Sequence, residues 1–231
     1  MIKHLRQPET YSDILARIAV STFLFAIMFL SWLGNTHSGI GQFFEIAIDV
    51  DYPIISNVAN MKVALCFAIA LLSRVFTLHN QISNLFRIRK NFDLEKILKP
   101  LVRGLGLNSS SNDWRPIEEN RHPLMIQIFY PYAGLRKPVI DEQLVRGAMD
   151  RWGWFWCLIE GMSVAFLTAL TAILLGDLVT GLQILIVGLL LAFPTMYFLN
   201  EVEGYADKQV DAILDDHVRE SEIRMQVRRF L

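Results

Sequence analysis

Backbone amides and carbonyls cannot stay unpaired in lipid, so an apolar run of about 20 residues that crosses a bilayer must do so as a helix. This chain carries four such runs: Leu15–Gly34, Ile55–Phe76, Trp154–Leu175 and Leu178–Leu199. Apolar residues make up 53% of its 231 positions, above the usual share for a soluble domain. The expected class is an all-α membrane protein with four transmembrane helices. The first run has no convincing small-x-small cleavage site and three more runs follow, so it is expected to be retained rather than removed as a signal peptide.

Lysine and arginine beside the runs give the orientation. Between the first two runs stand Glu45, Asp49 and Asp51, with no Lys or Arg before Lys62; between the last two stands only Asp177. The segment from Thr77 to Arg151 holds twelve Lys and Arg. Lys3, Arg6 and Arg17 lie before or at the edge of the first run, and Lys208, Arg219, Arg224, Arg228 and Arg229 follow the last. Every basic segment falls on one side, which predicts both termini in the cytosol of a bacterium and the chain in its inner membrane. The acceptor pattern at Asn108 then lies in the cytosol and carries no glycan.

This topology divides the chain into residues 1–76, with two spans and an external loop at 35–54; a basic cytosolic segment, 77–151; a hairpin of spans, 152–199; and a cytosolic helix, 200–231. The external loop is either an amphipathic stretch on the outer surface, with Phe43, Phe44, Ile46, Ile48 and Val50 in the lipid, or an ordinary ordered loop. In the basic segment the second span is expected to continue as a helix through residues 78–90. A new helix begins near Asp93 as its cap, with Pro100 as a kink. Leu124–Tyr130 fits a strand or a helical turn. A further helix is expected to begin near Pro138–Asp141 and run straight into the third span. The C-terminal helix carries a thin stripe of Val202, Ala206, Val210, Ile213, Leu214 and Val218, suited to another helix or another subunit.

The third span opens DRWGWFWCLIEGMS, and the carboxylate Glu160 lies about 9–12 Å inward of the tryptophans at 1.5 Å per residue. The tryptophans suit the membrane interface. An acid in the hydrocarbon costs roughly 2.5–3.5 kcal/mol at mid-bilayer, so Glu160 should face protein or water. Three outcomes are open: neutralisation and hydrogen bonding to a Ser or Thr, pairing with Arg74, or lining a wet path with its symmetry copies. Thr168 and Thr171 share its side of the helix, Gln183 adds a polar group in the fourth span, and Gly161, Ala165 and Ala169 form a ridge that permits close packing. A pore, if present, is expected to be lined by the third and fourth spans, with the first span peripheral.

Outside the spans, Glu203, Asp207, Asp211 and Asp215 recur every four residues. Like charges so spaced oppose a helix by a few tenths of a kcal/mol each. They form a solvated acidic face or dock on the basic stretch Arg87, Arg89, Lys90, Lys96, Lys99 and Arg103. That stretch itself obeys the positive-inside rule, touches anionic headgroups, or binds an anionic ligand such as a nucleotide through Arg87, Arg89, Lys90 and Lys99. Phe86, Phe92 and Trp114 would supply stacking faces. Duplex DNA readout is not expected, and no Walker loop supports an NTPase.

The net charge of −1 names no partner, and Cys66 and Cys157 sit in apolar runs as packing residues. The five histidines are scattered without metal-ligand spacing, so no metal, cofactor or catalytic residue is expected. Four spans, both ends inside and a basic segment between spans 2 and 3 make a topology that resembles the small membrane effectors of bacterial anti-phage defence systems. The likeness covers the whole chain and transfers no residue roles. It implies an oligomeric inner-membrane channel or membrane-perturbing effector, gated from the cytosol by an anionic ligand or a partner protein. The alternative is a non-conducting scaffold or sensor that docks a soluble partner. The spans show no His/Glu/Asp cluster, Ser/Lys pair or repeat to suggest an enzyme or a transporter.

Overall fold

The computed structural model describes residues 8–46, 60–107, 114–135 and 137–230. The outer half of the loop, with Ile48 and Val50, the start of the expected second span, and Asn108 lie outside these residues. The described residues are helical and contain no strand. Two units are distinguished: one built from Met1–Ile14, Asn80–Trp152 and Phe198–Leu231, the other from Leu15–His79 and Gly153–Tyr197.

The apolar unit consists of α1 (Tyr11–Thr36), α2 (Ser38–Phe44), α3 (Met61–Val75), most of α10 (Glu142–Leu174), α11 (Leu178–Leu190) and the start of α12 (Ala192–Leu214). Each start has a local cause. Thr10 and Asp13 form a reciprocal cap for α1: Asp13 accepts from the Thr10 backbone N–H at 2.8 Å, and its own N–H reaches Thr10 Oγ1 at 3.3 Å. Asn60 caps α3 by accepting from the Val63 N–H at 3.0 Å. Gly176, at φ +88, makes the turn after α10, and Asp177 then caps α11 through the Thr180 N–H at 3.0 Å. That backbone bond holds the Asp177 carboxyl below its ordinary range. The small-residue ridge is used inside the subunit. A Cβ on Gly188 would stand 2.7 Å from Ala165 Cβ, one on Gly181 would strike Ile173 and the Ala169 carbonyl, and one on Gly161 would strike the Phe25 ring.

Three helices are long and apolar enough to cross a membrane: Tyr11–Thr36, Glu142–Leu174 and Leu178–Leu214. The pair α3 and α4 (Leu78–Leu85) counts as a fourth if its 59° bend is one span. The expected straight continuation of the second span is thus corrected: Thr77 takes φ 46 and turns the chain, and Arg87 does so again at φ 54. The apolar window is 39% buried in α1, through Ala26, Phe29 and Leu33 among others, 44% in Glu142–Leu174 and 17% in Leu178–Leu214, so the last span and not the first is the most exposed of the three.

The second unit comprises α4, α5 (Ile88–Phe92), α6 (Lys99–Gly104), α7 (Arg115–Glu119), α8 (Arg121–Leu124), α9 (Tyr130–Ala133), the start of α10, the end of α12, and α13 (Glu220–Arg228). Two π-helical turns, Asp93–Leu98 and Met125–Phe129, interrupt it. Each is followed by a proline, Pro100 and Pro131, in the first turn of the next α-helix. Proline lacks an N–H and its ring collides with the carbonyl four residues back. Those residues, Lys96 and Gln127, lie inside the π turns, where the wider backbone makes room. Asp93 closes α5 and opens the first π turn, but its buried side chain is not the expected N-cap. Leu124–Tyr130 resolves as helical.

The core of this unit gathers Leu98, Leu101, Leu105, Ile117, Leu124 and Ile128 with Val210, Ile213, Ile223 and Val227. The C-terminal stripe is thus covered by its own chain from Val202 to Ile213, and only Val218, 89% exposed, remains outside. The chain turns between Leu214 and Glu220, so the C-terminal segment is two helices rather than one. Ile128→Ala removes fully buried volume and is expected to cost about 2–5 kcal/mol, whereas Val218→Ala should stay within about 0.5 kcal/mol. Unfolding of the detergent-solubilised protein, followed by circular dichroism, measures both.

Candidate functional site

Glu160 is fully buried in the apolar unit. Its Oε2 meets the Ser73 hydroxyl at 2.5 Å and the Thr22 hydroxyl at 2.6 Å. Its Oε1 faces Nδ1 of the buried His79 at 3.5 Å. One carboxyl thus joins α10 to α1 and α3 and stands against the residue that follows α3 into α4. Thr22 Oγ1 also lies 2.9 Å from the Ile18 carbonyl. Its single hydroxyl proton serves one acceptor at a time. The Thr22 hydroxyl thus has two acceptors within reach, the Glu160 carboxyl and the Ile18 carbonyl. Thr22, Ser73 and His79 were not singled out as partners from the sequence, although each is a polar residue within or just after an apolar run.

The tryptophans before Glu160 are packing partners. Trp156 is buried, with its ring 5.9 Å from that of His79, and Arg17 lies 5.2 Å over the Trp154 ring. In the other unit Trp152 packs on Phe92 at 4.9 Å. The expected pairing of Arg74 with Glu160 is corrected: successive helical residues are rotated by about 100°, so Ser73 turns inward and Arg74 is exposed. Thr168 is buried and bonds the Val164 carbonyl at 2.9 Å. Thr171 bonds the Leu167 carbonyl at 2.9 Å and is exposed, as is Gln183. None of these three joins the Glu160 cluster.

The basic stretch is largely engaged within its own unit. Lys90 pairs with Glu118 at 2.5 Å, and Lys99 pairs with Glu95. Lys99 and Arg103 lie over the Trp114 ring at 5.6 and 5.1 Å, where a base would have stacked. Arg87 is exposed. Of the acidic row, Glu203 pairs with Lys96 at 2.8 Å, which with Asp207 raises the Lys96 amine above its ordinary range. Asp207, Asp211 and Asp215 are exposed.

Arg89 does something different. It donates to the Tyr130 hydroxyl at 2.8 Å and lines a polar pocket with Asn80, Ser83, Asn84, Asp93, Arg121 and His122. Arg121 donates to the buried Asp93. Burial lifts the Asp93 carboxyl above its ordinary range, against the opposing pull of Arg89 and Arg121.

A helical protein with three or four helices of membrane length, an enclosed carboxyl cluster in one unit and a polar pocket in the other is the class these observations define. The chain belongs to the YmfE protein family, whose match covers residues 10–224. It is similar to an uncharacterized YmfE protein of Escherichia coli (strain K12), 25% identical over 232 residues, spanning 92% of this chain and 94% of that protein. No solved structure matches it.

Ser73→Ala leaves Oε2 one donor short and is expected to cost about 1–3 kcal/mol, while Arg74→Gln should be nearly silent. Denaturant titration in detergent separates the two. For Asp93 the sign runs the other way from a surface acid: a carboxyl raised in the folded state favours folding when protonated, and that contribution is lost as pH rises through its folded value. Removing the cation in Arg121→Met should raise it further. The variant is expected to lose on the order of 3 kcal/mol at neutral pH and less near pH 4. Asp93→Asn in the same background should flatten the profile.

Proposed function

We propose that this chain is a multi-pass protein of the bacterial inner membrane, with both termini cytosolic, whose apolar unit assembles with its copies into a channel or membrane-perturbing effector. Its helical basic unit controls that assembly from the cytosol. The observation that carries this reading is a pair of exposed polar side chains on two helices of membrane length, Thr171 on α10 and Gln183 on α11. Gly188 packs on Ala165, and Gly181 packs on Ala169 and Ile173. This register puts Thr171 and Gln183 at about the same level of the α10–α11 hairpin, both on its outside. A side-chain amide in hydrocarbon without a partner costs roughly 2–7 kcal/mol. A second copy, or water between copies, supplies that partner. Glu160 has a different part. Enclosed by Thr22, Ser73 and His79, it acts as a latch between helices rather than as a lining group.

The scaffold reading draws on Asp207, Asp211 and Asp215, an exposed acidic row available to a soluble basic partner. It loses the C-terminal apolar stripe as a docking face, since that stripe is covered. Neither the family nor the relative's name carries a link to anti-phage defence.

The test is expression in bacteria with a membrane-potential dye. Wild type should depolarise the cells, Gln183→Leu with Thr171→Val should not, and Gln183→Cys should form a disulfide-linked dimer on oxidation. An unchanged potential with normal membrane insertion and no cross-link would sink the channel reading.

A further inference from the structure

We infer that the pocket walled by Asn80, Ser83, Asn84, Arg89, Arg121 and His122 binds a phosphate group. This deepens the control by an anionic ligand proposed above and rests on that reading for its consequence, though not for its test. The cavity measures about 290 Å³ and takes its wall from α4, α5, the first π turn and α8. Two guanidinium groups reach it from different elements. Each is steadied by one protein acceptor, Arg89 by Tyr130 and Arg121 by Asp93. A guanidinium has five N–H donors, so one such anchor leaves most of the fork to a ligand. With Asp93 counted, the charged side chains present a net +1 before His122 is considered.

Two forks from separate elements suit an anion with three outward oxygens better than a carboxylate, which one fork already satisfies. The Asn80 and Asn84 amides and the Ser83 hydroxyl add neutral partners. Asp93 and Met125, which both line the cavity, each begin a π turn, and such turns widen a helix locally.

The pocket's place along the chain narrows the source of the phosphate. Its α4 wall begins three residues after the apolar helix α3 ends. Tyr11, in the first turn of the apolar helix α1, hydrogen-bonds with Asn80. A group at such helix ends meets both lipid headgroups and cytosolic solutes. The same phosphate chemistry therefore fits an anionic phospholipid or a soluble phosphomonoester.

The full chain in a neutral detergent would be titrated calorimetrically with glycerol 3-phosphate, using chloride as the control. In parallel it would be reconstituted in nanodiscs of phosphatidylglycerol or phosphatidylcholine and the retained lipid counted by native mass spectrometry. Arg89→Gln keeps a donor for Tyr130, and Asn84→Asp adds a carboxylate at an exposed rim position. Each variant should weaken binding at least tenfold with an unchanged melting temperature. If Arg89→Gln proves unstable, Asn84→Asp decides. Saturable heat with glycerol 3-phosphate supports the site and names a soluble ligand. Selective retention of phosphatidylglycerol alone supports it and names the headgroup. Binding no better than chloride and phosphatidylcholine, or equal binding by a folded Asn84→Asp, overturns it. Binding without depolarisation in cells would leave this inference standing and count against the channel alone.

Discussion

The buried carboxyl of Glu160 is the interaction on which the apolar unit turns. Between apolar helices in lipid there is little hydrophobic force to fix a register, because lipid tails are as apolar as leucine. Small residues let α10 approach α11 closely, but a ridge of Gly and Ala tolerates sliding. A carboxyl that must find donors does not. Its two short contacts, to Thr22 and Ser73, pin α1 and α3 to one position on α10. His79 adds a third direction. The cost of burying the acid is therefore offset only in one arrangement of these helices, and a shift by one residue on either neighbour would leave a charge-bearing group unpartnered.

The basic unit reaches uniqueness by another route. It has an apolar core of ordinary composition, closed by the end of α12 and by α13. Its irregularity comes from proline. Pro100 and Pro131 each follow a π turn, and the two π turns supply Asp93 and Met125 to the same pocket. The bends at Thr77 and Arg87, both in the left-handed region, belong to the same economy of short helices.

Much of this architecture was legible in the chain because hydrophobic length is a one-dimensional signal. Three of the four apolar runs became helices of membrane length, the GDLVTG hairpin became a glycine turn with an aspartate cap, and Asp141 followed by α10 became one long helix. What was not legible were relations between runs. Nothing local to Glu160 says that its partners stand 138 and 87 positions away, at Thr22 and Ser73. Hydrogen bonding to a Ser or Thr and pairing with Arg74 both stood open in the sequence, and helical rotation decides for Ser73, which faces inward where Arg74 does not. Charge singled out Arg87, Lys90 and Lys99 as ligand-binding cations. Intrahelical and neighbouring carboxylates had already engaged the two lysines, leaving Arg89 with a different set of neighbours. Arg121, His122 and the two asparagines carry no pattern in sequence, and only the folding of α4 and α8 about α5 brings them to Arg89.

The polar groups of the membrane-length helices then have opposite surroundings. Glu160 is enclosed, with Thr22 and Ser73 on Oε2 and His79 facing an Oε1 that makes no hydrogen bond. Thr171 spends its hydroxyl on the Leu167 carbonyl, and Gln183 presents its amide on the outside of a helix otherwise covered in Leu, Ile and Val. A helix surface of that kind is stable against lipid everywhere except at the amide. In the assembly proposed above a neighbouring copy supplies the hydrogen bond Gln183 needs, and antiparallel packing sets Thr171 at its level. Association driven by such a pair depends on a few atoms rather than on a broad apolar face. That is the kind of contact a small rearrangement around Glu160 can make or break, because α10 carries both Glu160 and Thr171 on one rigid helix, eleven residues or about 16 Å apart.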